Sequence, residues 1–236
     1  MYSAPLGFFR SPFLAACLIA VAAAAGAQVP LADQPVFSAV NVPGNLALAL
    51  SVEYPTAISV AYPVRTYSSG NTYIGYFDPA KCYDYRYTDG VGLDNYFYPV
   101  GRTTTHTCSG KWSGNYLNWA SMQTIDPFRW ALTGGYRVID TPSLTVLEKA
   151  WGTDQGNGTN FPDSSVSVSA EVAGATPFAT ASAISTRIWK LGNKMRFMTS
   201  ATGLPAPDYD ARTATPYSSP LNHQHGTLYE VFIRVK

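Results

Sequence analysis

The sequence predicts a mixed α/β fold, on three observations. Residues Trp112 to Trp151 combine helix-start chemistry, helix-stop chemistry and apolar spacing over forty residues. Asn45 to Glu53, NLALALSVE, is a continuous apolar run of the kind found in a strand buried on both faces. Between Tyr62 and Lys111, and again in the closing LYEVFIRVK, β-prone residues dominate or alternate with polar ones.

Residues 1 to 27 read as a Sec signal peptide. Arg10 supplies the positive region, Phe13 to Ala25 is an uninterrupted small and apolar run, and Ala25-Gly26-Ala27 is an A-x-A-like cleavage site before Gln28. The run is shorter than the roughly 20 residues that span a bilayer. Cys17 resembles a lipoprotein cysteine, but the apolar run continues past it. Residues 29 to 44 are Pro-rich and aperiodic, an extended lead-in to the 45–53 strand.

In the Tyr62 to Lys111 region, Tyr83, Tyr85 and Tyr87 alternate with Asp84, Arg86 and Thr88, which places the three rings on one face of a strand. Asp89-Gly90 then turns the chain and Tyr96 to Tyr98 begins a partner strand. The tyrosine row reads either as cross-strand packing or as a stacking surface for a glycan or host protein. Once Cys17 leaves with the signal, Cys82 and Cys108 remain, an even count that reads as one disulfide in an exported chain. The rival reading is a metal site pairing Cys108 with His106, for which two further ligands are not apparent. Asp89 and Asp94 lack the spacing of a calcium loop.

Within Trp112 to Trp151, Ser113 can cap a segment that is apolar on both sides and therefore buried. Asp126-Pro127 reads as an N-cap with proline at the first helical position. Phe128, Ala131 and Leu132 line one face, and Gly134-Gly135 supplies a positive-φ stop. Tyr136 to Asp140 is a short strand, and Thr141-Pro142 opens a helix carrying Leu144, Leu147 and Trp151 at helical spacing. The expected order is helix, helix, strand, helix.

Residues 152 to 164 form a loop, in which Asn157-Gly158-Thr159 reads as a turn. Val166, Val168, Ala170 and Val172 alternate as in a half-buried strand, and Gly192-Asn193 joins Ile184–Lys190 to Lys194–Ser200 as a hairpin turn. The 201–226 loop carries His223 and His225, two histidines with no thiolate or carboxylate nearby in sequence. In LYEVFIRVK, Tyr229, Val231, Ile233 and Val235 share one face of a strand. That strand ends at Lys236 in mid-pattern, so a truncated frame or fragment is expected.

With 16 basic and 15 acidic residues and 13% charged, the chain has no basic footprint for nucleic acid or an anionic membrane surface. No G-x-S-x-G elbow, Walker loop, H-E-x-x-H helix or dinucleotide glycine pattern occurs.

The strings WSGNYLNWASMQTID, ALTGGYRVIDT and TVLEKAW, with YFDPAKCYDY at Tyr76 to Tyr85, YFYP at Tyr96 to Pro99 and the closing GTLYEVFIRVK, carry a resemblance. The chain resembles the amino-terminal region of the PilY-type proteins, secreted factors of the bacterial type IV pilus that act in pilus assembly and as tip adhesins. The resemblance covers nearly all the chain after residue 28, but only the front of the family's usual length. It implies a partial or degenerate von Willebrand factor A-like unit in residues 28 to 236, with 62 to 111 as a β-rich insertion and 112 to 151 as a helical core segment. It also implies that the family's carboxy-terminal propeller, with its calcium-controlled activities, is absent. In that fold the 45–53 strand would lead into a D-x-S-x-S ion site; here Ser51-Val52-Glu53-Tyr54-Pro55 stands there, and Ser51 with Glu53 is too few oxygen ligands to carry the metal over.

The resemblance implies a non-enzymatic, exported component of type IV pilus biogenesis and surface adhesion, working by protein–protein or surface contact. Minor pilins or other assembly proteins are the expected partners, with a host or abiotic surface as a further one. The expected place is the periplasm, cell surface or pilus tip of a Gram-negative bacterium. No catalytic residue, cofactor or metal is expected. A second reading is a secreted carbohydrate-binding domain using the Tyr83, Tyr85 and Tyr87 face; a third is a secreted hydrolase whose paired carboxylates meet only in space.

Overall fold

The structure is a computed structural model that describes residues 56, 58–64, 66–88, 92–199 and 227–235. The expected signal peptide and lead-in, the 45–53 run with Ser51 and Glu53, Asp89, and the 201–226 loop with His223 and His225 lie outside the described residues.

Strands β1 (Lys81–Arg86), β2 (Tyr96–Arg102) and β3 (Trp112–Ser113) come first. Helices α1 (Gly114–Ser121) and α2 (Ile125–Thr133) follow, then β4 (Arg137–Asp140), β5 (Thr145–Glu148) and β6 (Ser164–Val166). Helix α3 (Ser169–Ala175) precedes β7 (Ile184–Arg187), β8 (Lys194–Met198), β9 (Thr227–Glu230) and β10 (Phe232–Arg234). The strands form a six-stranded sheet, β3-β1-β2-β10-β5-β4, and a four-stranded sheet, β6-β7-β8-β9.

The α/β class is as expected. Among the described residues, however, β10 with β2 is the parallel pair and every other pairing is antiparallel. Among them two helices follow β3 and one follows β6, and the expected von Willebrand factor A-like unit stays a reading of the sequence. Within residues 62 to 111, expected as a β-rich insertion, β1 and β2 lie inside the larger sheet, with Phe97 of β2 in register with Ile233 of β10.

The closing stretch serves both sheets. β9 pairs with β8, β10 with β2 and β5, and the switch falls at Val231, whose N–H donates to the Asn193 carbonyl at 3.0 Å while its own carbonyl accepts from Lys149 N at 3.2 Å. Both faces are covered as a result. Leu228 to Ile233 are all buried, where alternation alone would leave Glu230 in water.

Trp112 sits where the sheets meet. Its ring lies 6.1 Å from Phe97 of the larger sheet, and 5.0 Å and 5.4 Å from Phe197 and Tyr229 of the smaller one. Such aromatic pairs each add about 0.5–1.5 kcal/mol beyond the area they bury. Helix α1 packs into this core with all eight residues buried, capped by Ser113, whose Oγ accepts from Tyr116 N at 3.4 Å. Asn115 and Asn118, three apart on α1, pin the 71–77 segment. Asn115 takes Tyr73 N and donates to the Asn71 carbonyl, while Asn118 takes Phe77 N and donates to the Tyr73 and Phe77 carbonyls.

Two expected elements change type. The helix expected after Thr141-Pro142 is strand β5, because Val146 and Leu147 pair between β10 and β4 and that pairing overrides helical spacing. The strand expected through Val172 stops at Val166. The Ala-rich run from Ser169 forms α3 instead, burying Val172 and Ala175 three residues apart.

Candidate functional site

Helix α2 stands off the domain. It begins at Ile125, not Pro127, and Asp126 does not cap it; it ends as expected at Gly134 and Gly135, with φ of 78° and 101°. Only Ile125 and Asp126 of the helix are buried. Phe128 and Leu132, expected on one face with Ala131, are 53% and 45% exposed, and Trp130 is 45% exposed.

The first turn anchors the helix. The buried Asp126 carboxylate accepts Gln123 N at 2.9 Å and Ala150 N at 2.8 Å, tying α2 to the residues after β5. Lys149, also fully buried, donates to the carbonyls of Ala150 and Gly192 at 2.5 Å and 3.2 Å. Burial pushes the Lys149 amine down to about 8, and the negative charges of Asp126 and Glu148 limit the fall. Burial likewise pushes the Asp126 carboxyl up, against the pull of Lys149 and the two backbone amides.

Between α2 and the chain leaving β5 lies a cleft of about 420 Å³, lined by Arg129, Tyr136, Glu148, Lys149, Trp151 and Thr153 among others. The Arg129 guanidinium stacks over the Tyr136 ring at 5.4 Å. Trp151 Nε1 donates to Glu148 Oε1 at 3.1 Å, and Asn193 Nδ2 donates to the same oxygen at 3.0 Å. Tyr136 and Trp151 are 50% and 55% exposed, so each ring offers a face to solvent. Elsewhere around α2, Trp130 lines a second cleft with Pro99 and Val235.

The predicted site residues fall elsewhere. Cys82 and Cys108 form the disulfide, with Cα atoms 5.6 Å apart. That removes the Cys108 sulfur from any metal site, and His106 instead places Nδ1 2.8 Å from the Ser69 carbonyl oxygen. Tyr83 and Tyr85 turn inward, Tyr83 against Phe77 at 5.1 Å, Tyr85 against Phe97 and Tyr229 at 4.7 Å and 4.8 Å. Their hydroxyls accept the N–H groups of Asp78 and Glu230, and burial pushes both phenols well above their ordinary range. Tyr87 is half-buried. The row is therefore packing, and no open ladder of three rings is presented to a sugar. Asp94 is exposed; its turn is held by Glu230, which accepts Gly92 N and Asn95 Nδ2. Among the described residues no group of three or more His, Cys, Asp or Glu could hold a metal ion, and no helix is long and apolar enough to cross a membrane.

Sequence reasoning missed the α2 surface, although a signal was there. In IDPFRWALT, Phe128, Trp130 and Leu132 do not fit one stripe, and a helix apolar all round is one that something else covers.

A buried aromatic core that holds one aromatic helix out in solvent defines a scaffold that presents a surface. Residues 64–206 match the family described as PilY1 homolog, small alpha/beta domain, and the chain belongs to that family. It is 43% identical, over 244 residues and 98% of its length, to a Type IV pilus biogenesis factor PilY1 homolog of Xylella fastidiosa strain Temecula1, covering 19% of that protein. A second protein of that name and organism is 32% identical over 80 residues, 34% of this chain and 5% of the relative. The chain thus spans about a fifth of the first relative's length. No solved structure matches.

Proposed function

We propose that the chain is an exported, non-enzymatic module of type IV pilus biogenesis and surface adhesion, acting through protein–protein contact on the α2 surface. Minor pilins or other assembly proteins are the partners in this reading. Residues 1–27 direct export, and residues 28–236 are the working module in the periplasm, at the cell surface or at the pilus tip. The names of the relatives support the pilus setting. One observation carries the contact: Phe128, Trp130 and Leu132 are left about half in water on different sides of one anchored helix, and exposed large apolar side chains grouped in this way mark interaction surfaces. The buried carboxylate that anchors the helix is engaged by backbone amides, a structural role.

The test is F128S/W130S/L132S introduced into the gene of the whole protein. Surface pili, twitching motility and attachment should fall sharply while the variant keeps a cooperative thermal transition, since about half of each side chain already lies in water. Unchanged piliation with the folded triple variant would overturn the reading.

A further inference from the structure

We propose that the cleft between α2 and residues 148–153 binds a carboxylate-bearing peptide segment, an Asp or Glu side chain of a partner protein. Arg129 takes the carboxylate, and the Tyr136 and Trp151 rings take the apolar side chains beside it. This deepens the contact reading above and rests on it for the partner being a protein.

Arg129 is the first ground. Its guanidinium has no carboxylate or hydrogen-bond acceptor among the described residues, and it sits over the Tyr136 ring, 5.4 Å from the centroid, at the wall of the cleft. A guanidinium with no acceptor of its own keeps its N–H fork free, the geometry that pairs with a planar carboxylate.

The charge of the lining is the second. The buried Lys149 has the Asp126 carboxylate as its counterpart, and Glu148 Oε1 already accepts two hydrogen bonds. Arg129 is therefore the cation of the lining that no carboxylate among the described residues engages.

The aromatic walls are the third. Trp151 is exposed but held by its bond to Glu148, so little side-chain freedom remains to be lost on binding. Trp, Tyr and Arg together around one depression are the residue types that dominate protein-binding hot spots. A volume of about 420 Å³ suits a few side chains. A neutral sugar could stack on Trp151, but it would leave Arg129 without an anion.

The test uses the 236-residue chain, ¹⁵N-labelled and titrated with acetyl-Leu-Glu-Phe-amide, acetyl-Leu-Gln-Phe-amide and methyl β-glucoside, following the Trp151 indole N–H. The Glu peptide should give a saturable shift with at least about tenfold higher affinity than the Gln peptide. R129Q should erase that preference with the thermal midpoint unchanged, and R129K should restore only part of it. Equal affinity for the two peptides, an unmoved Trp151 signal, an R129Q chain that keeps the preference, or tighter binding of the glucoside would each overturn the proposal. F128S/W130S/L132S leaves the cleft lining in place, so the two readings separate. Lost piliation with a negative titration sinks only the cleft, and a positive titration with unchanged piliation sinks only the pilus contact.

Discussion

Replacing Cys82 and Cys108 together by alanine cuts the covalent tie between β1 and the loop that leads into β3. The bridge spans 26 residues of sequence. Freeing a loop of that size returns about 12 cal/mol/K of chain entropy to the unfolded state, or about 3.5 kcal/mol at 25 °C. The local consequence follows from β3, which has two residues and pairs with β1 through Ser113 opposite Cys82 and Trp112 opposite Tyr83. The bridge therefore steadies the strand that carries Trp112 into the junction of the two sheets. For a chain of this size the loss corresponds to a fall of about 7–14 °C in thermal midpoint. The assay is a thermal melt by far- and near-UV circular dichroism of the wild type, the wild type under reductant, and C82A/C108A. Reduction should lower the wild-type midpoint by that amount and weaken its aromatic near-UV signal, while leaving C82A/C108A unmoved. A wild-type midpoint that stays within about 2 °C on full reduction would refute the reasoning.

Asn118→Ala should cost about 3–5 kcal/mol in urea unfolding, because it strands Phe77 N and the carbonyls of Tyr73 and Phe77 in a buried setting; a loss under about 1 kcal/mol would show that the 71–77 segment is held by something else. Stability should also pass through a maximum in mild alkali. Folded Lys149 titrates near 8 against an ordinary 10.5, so between those values unfolding takes up a proton and stability rises with pH. Above pH 10 the sign reverses: burial holds Tyr76, Tyr83, Tyr85, Tyr116 and Tyr229 protonated in the folded state, unfolding releases their protons, and stability falls. Urea midpoints from pH 7 to 11 should show the rise and the fall in the wild type, and a smaller rise, left by Lys194, whose amine burial also pushes down, before the fall in K149M.

What could be read from the residues was local. The Ser113 cap, the glycine stop after α2, the β1–β2 pairing, the 184–198 hairpin and the Cys82–Cys108 bridge each depend on chemistry within a short window or on a cysteine count. What could not be read was set by partners distant in sequence. Leu147 has helical spacing to Trp151, yet Ile233, far along the chain, makes it a strand residue and leaves Trp151 in solvent. Tyr83 and Tyr85 alternate as an exposed aromatic row would, and only Phe77, Phe97 and Tyr229 decide that the row faces inward. The candidate site was hidden for the same reason: Arg129, Tyr136 and Trp151 come from a helix, a strand approach and a strand exit, with no motif linking them. Asn115 and Asn118 were in view as part of a resemblance, but their role appears only once the 71–77 backbone lies against α1.

The anchor and the exposed surface belong to one arrangement. A helix of nine residues is marginal in water, and α2 adds large apolar side chains half in solvent, so its position comes from its ends: the first turn, and the buried Gly135 with Tyr136 N–H donating to Tyr76 Oη at 3.2 Å. Asp126 does this by accepting backbone amides on both sides, Gln123 before the helix and Ala150 beyond β5, with Lys149 buried nearby to balance the charge. An aspartate is specified here because two acceptor oxygens are needed at once. Asn at position 126 would present a donor to one of the two amides and leave the Lys149 charge without its counterpart. D126N should therefore lose about 3–5 kcal/mol. D126N/K149M should recover part of that loss, a coupling that a double-mutant cycle would measure. More telling is where the loss appears: amide exchange should quicken first in α2 and at Ala150, and the Trp151 indole resonance should broaden as the cleft loses its wall. If α2 protection in D126N matched the wild type while the core loosened, the first turn would not be what sets the helix, and the contact surface would need another origin.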